Sequence, residues 1–123
     1  MNVLVVDDEA DTESLFRQRF RKELKAGTLS LEFAPSAESA LEFLERGTAD
    51  LVLVLSDINL PGMCGIELLR QIKERYAHTA VYMIAPFNDE ARSAEVERAG
   101  AAALLTKPLD FDELKRMMSA LCP

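Results

Sequence analysis

The chain has 123 residues, 49% of them apolar, and a net charge of −7. That is the length of one ordinary domain, and apolar residues spread from end to end suit a compact core without a disordered tail. No apolar run nears the roughly 20 residues needed to cross a bilayer, and the acidic balance argues against a nucleic-acid surface, because phosphate backbones are held mainly by Lys and Arg.

Met1 to Val6 leads straight into an Asp pair with no basic region or cleavage-like site, so no signal peptide is expected. Cys64 and Cys122 stand far apart without metal-ligand partners, as reduced thiols in a cytoplasmic protein do.

In chain order, Asn2–Val6 is a strand-length apolar run, and Asp11–Lys25 follows as a helix with Leu15, Phe16, Phe20 and Leu24 on one face. Arg17, Arg19, Arg21, Lys22 and Lys25 interleave with those apolar positions as its wet face. Thr28–Ala34 alternates, with Leu29, Leu31 and Phe33 against Ser30 and Glu32, the pattern of a half-exposed edge strand. Ser36 caps a helix carrying Ala37, Ala40, Leu41 and Leu44.

Leu51–Ser56 is the third strand, and Ile66–Tyr76 is a helix presenting Leu68, Leu69 and Ile72. Ala80–Ala85 is the fourth strand. Asp89–Ala99 is the weakest helix, anchored by Ala91, Ala94, Val96 and Ala99. Ala101–Thr106 is the fifth strand, and the last helix opens on Asp110 and Glu113 in a capping-box pattern before Leu114, Met117, Met118 and Leu121. Gly27, Gly47 and Gly100 fall just past helix ends.

The sum is an α/β chain of five strands alternating with five helices. Runs lacking polar alternation mark strands covered on both faces, and right-handed crossovers place the helices on both faces of one parallel sheet. Ligands of such sheets bind outside the carboxyl ends of the strands. Those ends carry Asp7 and Asp8 after the first strand, Asp57 after the third and Lys107 after the fifth. Clustered carboxylates repel one another and call for a cation. Mg²⁺ fits, as a hard ion commonly held by one or two carboxylates, waters and a phosphate. Asp7-Asp8-Glu9 also favours the positive N-terminus of the next helix, but that does not account for Asp57 or Lys107.

Val5-Val6-Asp7-Asp8-Glu9, Ser56-Asp57-Ile58-Asn59-Leu60-Pro61-Gly62-Met63 and Leu105-Thr106-Lys107-Pro108 resemble the three signature stretches of response-regulator receiver domains in two-component signalling. The resemblance spans essentially the whole chain, 1–123, as one domain. It implies a flavodoxin-like, doubly wound five-stranded sheet of order 2-1-3-4-5. It also implies that Asp57 accepts a phosphoryl group from the phosphohistidine of a sensor histidine kinase or phosphotransfer protein. Asp8 and Asp57 would bind Mg²⁺ through carboxylates, Asn59 through its backbone carbonyl and Asp7 through water. Lys107 would pair with a phosphoryl oxygen, and Pro108 would follow a cis peptide bond. The fourth helix, fifth strand and last helix would form the face read by a downstream protein target or output domain. The resemblance makes the chain a signalling protein and not an enzyme.

The fourth strand departs from the family. Receivers commonly have Thr or Ser there, then a small residue donating a backbone N–H. This chain has Ala85 and Pro86, which offer neither hydroxyl nor N–H, and Leu104 replaces the usual aromatic three residues before the lysine. The expectation is a receiver whose switch is weakened or rerouted. The alternative is a pseudo-receiver, a binding module in which phosphorylation is dispensable. A neighbour such as Asn88 could restore a donor, and Phe87 could pack under the loop or gate the pocket. An Asp-nucleophile phosphohydrolase would want an Asp two positions after Asp57, where Asn59 stands. Flavin binding would want a Ser/Thr/Gly-rich phosphate loop after the first strand, where Asp7-Asp8-Glu9 would repel the phosphate. His78 reads as a surface residue and Met117–Met118 as core filler. The chain's ending with its last helix suits a stand-alone receiver and one cut from a longer regulator equally.

Overall fold

A computed structural model describes residues 1–47, 51–86 and 92–121, with backbone alone at residues 51 and 52. Phe87, Asn88, Asp89, Ala91 and Cys122 lie outside the described residues. Five parallel strands, β1 (Asn2–Val6), β2 (Ser30–Ala34), β3 (Leu51–Asp57), β4 (Ala80–Ala85) and β5 (Ala103–Thr106), form one sheet of order β2-β1-β3-β4-β5. That is the expected order, with the alternating strand at one edge. The register aligns the carboxyl ends: Val6 lies opposite Ala34 and Ser56, Asp57 opposite Ile84, and Ala85 opposite Thr106.

Among the described residues the helices are α1 (Ala10–Arg19), α2 (Arg21–Ala26), α3 (Ala37–Glu45), α4 (Gly65–Arg75), α5 (Ser93–Arg98) and α6 (Phe111–Leu121). Six replace the expected five because the helix read over Asp11–Lys25 is divided at Phe20 (φ −104°, ψ 21°). The hydrogen-bond ladder survives there: the Phe20 N–H donates to the Phe16 carbonyl, and the Phe20 carbonyl accepts from Leu24, both at 2.9 Å. The break coincides with a buried ring, which stacks on Phe16 at 5.9 Å and meets Phe111 edge-on at 5.9 Å.

Alternation along the strands sends side chains to opposite faces of the sheet. Leu4, Val6, Val54, Val81, Met83 and Ala85 pack with α3, α4 and α5. Val3, Val5, Leu53, Leu55, Tyr82 and Ile84 pack with α1 and α6, including Met118, with Met117 partly buried beside it. Leu15 is corrected: it is 41% exposed, while Phe16 and Phe20 are buried. Residues four apart share a helix face, and Leu15 is rotated about 100° from Phe16.

Local chemistry closes the elements. Ser36 accepts from the Ser39 N–H at 3.1 Å, and the Asp110 carboxylate accepts from the Asp112 and Glu113 N–H groups at 3.1 Å each. Gly27 ends α2 in the left-handed region at φ 76°. His78 and the basic residues of α1 and α2 are exposed.

Candidate functional site

Asp57 is the last residue of β3, one beyond the strand end read from the sequence, and is only 4% exposed. Its position is fixed from two sides. The next N–H, of Ile58, donates to the Ile84 carbonyl at 2.9 Å, and the Ile58 carbonyl accepts from Gly65 at 2.8 Å. Gly65 begins α4 so close to β3 that a Cβ there would overlap the Asp57 carbonyl oxygen. Only glycine permits that approach.

The Asp57 carboxylate is held at both oxygens. Oδ2 accepts from Lys107 Nζ at 2.6 Å, and Oδ1 accepts from the Asn59 N–H at 3.0 Å. Lys107 comes from the end of β5, where its N–H donates to the Ala85 carbonyl at 2.9 Å, and the Lys107–Pro108 peptide is cis. Its ammonium also lies 3.9 Å from Glu9 Oε1. Burial works to lower the Lys107 pKa, but the hydrogen bond and charge of Asp57, with the charges of Asp7 and Glu9, outweigh it and hold the group above the ordinary lysine value.

Asp7 follows β1 and is drawn toward α1. Oδ1 accepts from the Glu9 N–H and Oδ2 from the Thr12 hydroxyl, both at 2.9 Å. Asp8 is exposed in the same loop. The structure therefore joins Asp57, Lys107 and the Asn59 backbone directly, with Asp7 and Glu9 acting on the lysine by charge. Among the described residues, no three His, Cys, Asp or Glu side chains converge as a metal cage.

Three participants were not read from the sequence. Glu9 was seen only as part of the acidic run. Thr12 had a signal, a hydroxyl residue in the first helical turn five positions after Asp7. Arg92, whose Nη1 donates to Asn59 Oδ1 at 3.4 Å, had none, because 33 residues separate the pair. Asp7, Asp8, Glu9 and Asp57 bring four negative charges to this rim, and Lys107 and Arg92 bring two positive ones. This excess of oxygen donors and negative charge fits a hard divalent cation.

A parallel sheet of order 2-1-3-4-5 with a buried Asp, a lysine and an acidic loop at its carboxyl ends defines a receiver-type α/β domain. The family model for the response regulator receiver domain matches residues 3–119, and the chain belongs to that family. It is 37% identical over 108 residues to response regulator protein FleR of Pseudomonas aeruginosa, covering 88% of this chain and 21% of FleR. It is 29% identical over 121 residues to sporulation initiation phosphotransferase F of Bacillus subtilis, covering 98% of this chain and 93% of that protein. NtrX from Brucella abortus, solved in complex with ADP, superposes with a TM-score of 0.84 at 29% identity, over 98% of this chain and 26% of that one. The chain thus spans about a fifth of FleR's length and a quarter of NtrX's. Receiver domains are signalling modules that work with histidine kinases and output domains, and they are generally Mg²⁺-dependent. No helix among the described residues is long and apolar enough to cross a membrane.

Proposed function

We propose that this receiver accepts a phosphoryl group on Asp57 from the phosphohistidine of a sensor kinase or phosphotransfer protein. The observation that carries the reading is the buried Asp57 carboxylate, bound at 2.6 Å to Lys107 on a rim of further carboxylates. An Asp57 oxygen attacks phosphorus, the P–N bond breaks, and its electron pair returns to the imidazole. Lys107, already on the carboxylate, neutralises charge as it spreads over the phosphoryl oxygens. Asp8 and Asp57 would hold Mg²⁺ with the Asn59 carbonyl, and Asp7 through water; the ion supplies further charge neutralisation. The chain works as a cytoplasmic signalling partner and does not bind nucleic acid itself. Its α5–β5–α6 face is the one read by a target or output domain.

The response to phosphorylation is altered. Ala85 has no hydroxyl and is only 1% exposed, Pro86 has no N–H, and Leu104 packs against the core in place of an aromatic. Hydrogen bonds to charged groups contribute about 1.5–3 kcal/mol each, so two absent donors weaken the usual coupling substantially. The same residues favour the second reading, a pseudo-receiver that binds partners without phosphorylation.

Incubation with Mg²⁺ and acetyl phosphate, read by intact mass, separates the two. An adduct of about 80 Da that disappears in Asp57→Asn is expected. Its absence under conditions where an ordinary receiver labels would leave the pseudo-receiver. An inward shift of the Ala85–Phe87 loop on beryllofluoride binding would overturn the altered switch.

A further inference from the structure

We propose that Arg92 binds the phosphoryl group of modified Asp57 on the β4 side, supplying donors that Ala85 and Pro86 lack, and so ties α5 to the state of the site. The inference rests on the reading of Asp57 as phosphoacceptor.

The placement comes from two linked bonds. The Asn59 N–H donates to Asp57 Oδ1 at 3.0 Å, and the Asn59 side-chain oxygen accepts from Arg92 Nη1 at 3.4 Å. Arg92 is thus one residue removed from the acceptor carboxylate. It reaches Asn59 from the segment that follows β4, the flank on which the donors are missing. From the end of β5, beyond β4, Lys107 already occupies Asp57 Oδ2. A phosphoryl group on Asp57 would lie near two cationic donors, Lys107 on Oδ2 and Arg92 on the Asn59 that holds Oδ1.

The energetics favour the transfer. At 3.4 Å the bond to the neutral Asn59 amide is at the long end of the hydrogen-bond range. A guanidinium offers five donors in a planar fork that matches phosphoryl oxygens, and charge-assisted bonds are roughly twice as strong as neutral ones. Phosphorylation also adds negative charge to a rim that already carries an excess of it, which raises the attraction on every nearby cation. A phosphoryl oxygen is therefore a stronger acceptor for the Arg92 guanidinium than the Asn59 amide oxygen.

The movement has a lever. Arg92 immediately precedes α5, a helix of six residues with Val96 as its buried residue. Across to α4, the Arg70–Glu95 ion pair spans 3.3 Å with both side chains about half exposed, and surface pairs hold little. A pull at Arg92 acts on a lightly anchored helix, and α5 is part of the face proposed above for partner reading.

The test uses the full chain with Mg²⁺ and beryllofluoride as the phosphoryl stand-in. It compares wild type, Asp57→Asn, Arg92→Ala and Arg92→Lys by ¹⁹F NMR and by hydrogen exchange of the peptide covering α5. Wild type is expected to give bound fluorine resonances and a changed α5 exchange, and Asp57→Asn neither. Arg92→Ala is expected to shift one of the three fluorine resonances, to weaken beryllofluoride binding about tenfold, and to lose the α5 response. Arg92→Lys, with a cation but no fork, is expected to fall between, and decides the matter if Arg92→Ala misfolds. Bound fluorine resonances and α5 exchange in Arg92→Ala identical to wild type would overturn the role of Arg92 and leave Asp57 as acceptor. No bound resonance in wild type would remove the Asp57 reading itself, and the role of Arg92 with it.

Discussion

Lys107→Ala isolates the bond at the centre of the site. It removes the ammonium 2.6 Å from Asp57 Oδ2 and leaves a carboxylate that is 4% exposed without its cation. Breaking a fully buried pair costs about 3–5 kcal/mol. The Lys107 side chain is 36% exposed, so solvent screens part of the interaction, and about 1.5 kcal/mol is the fitting figure. Unfolding entropy of about 2.1 cal/mol/K per residue gives this chain roughly 0.26 kcal/mol/K, so the midpoint should fall by about 6 °C. The assay is thermal unfolding by circular dichroism in low salt with EDTA, for wild type, Lys107→Ala, Asp57→Asn and the double variant. Asp57→Asn in the Lys107→Ala background should recover most of the loss, because it removes the stranded charge. Equal losses from Lys107→Ala with Asp or Asn at position 57 would refute the coupling.

Three further outcomes follow from the packing. Phe16→Ala should cost about 3–5 kcal/mol in urea unfolding and Leu15→Ala almost nothing, since one is buried and its neighbour is not; similar losses would mean α1 is rotated from the orientation described. Gly65→Ala should lower stability by about 1–3 kcal/mol, because the new methyl collides with the Asp57 carbonyl, and an unchanged urea midpoint would rule the close approach out. Glu23 is subject to burial, which raises its pKa, yet a backbone hydrogen bond, the bond and charge of Lys115 and the charge of Lys22 bring it below the ordinary value. A lowered folded pKa gives stability that is present above the unfolded value of about 4.3 and is lost as pH falls through the folded one. Wild type should therefore be more stable than Glu23→Gln at pH 7, with the gap closing in acid; a gap that stays constant to about pH 3 would contradict the pairing.

The sheet was legible in the sequence because four of its strands are apolar runs that end abruptly, three of them at charged residues. Asp7, Asp57 and Lys107 declare the rim in that way. Exposure of Leu15 was not legible: in a run containing Leu15, Phe16, Phe20 and Leu24, periodicity admits more than one stripe, and the sheet chooses the one centred on the two rings. The division at Phe20 escaped for a related reason, since Phe20 is a sound helical residue whose backbone departs from helix only where its ring is packed. The Asp7–Thr12 bond was readable in principle as local chemistry. The Asn59–Arg92 bond was not, because it depends on how α5 lies against the β3–α4 loop, and no local pattern states that.

The same packing makes a prediction about which element moves first. Helix α4 buries Gly65, Ile66, Leu68, Leu69 and Ile72 along its eleven residues, whereas α5 has Val96 buried among six. Fully burying an aliphatic side chain contributes about 1.5–3 kcal/mol, so α4 is held by several such contributions and α5 by one. Local opening follows the weakest anchoring. In the unmodified chain, α5 amides should exchange with solvent at least tenfold faster than those of α4, as read by hydrogen-exchange mass spectrometry at neutral pH. Equal protection would mean that α5 is fixed by contacts other than its core face, and that a bond to Arg92 could not shift it. Faster exchange places the least stable helix of the sheet face beside the residue that bonds to Asn59, where a change at Asp57 can be converted into a change of surface.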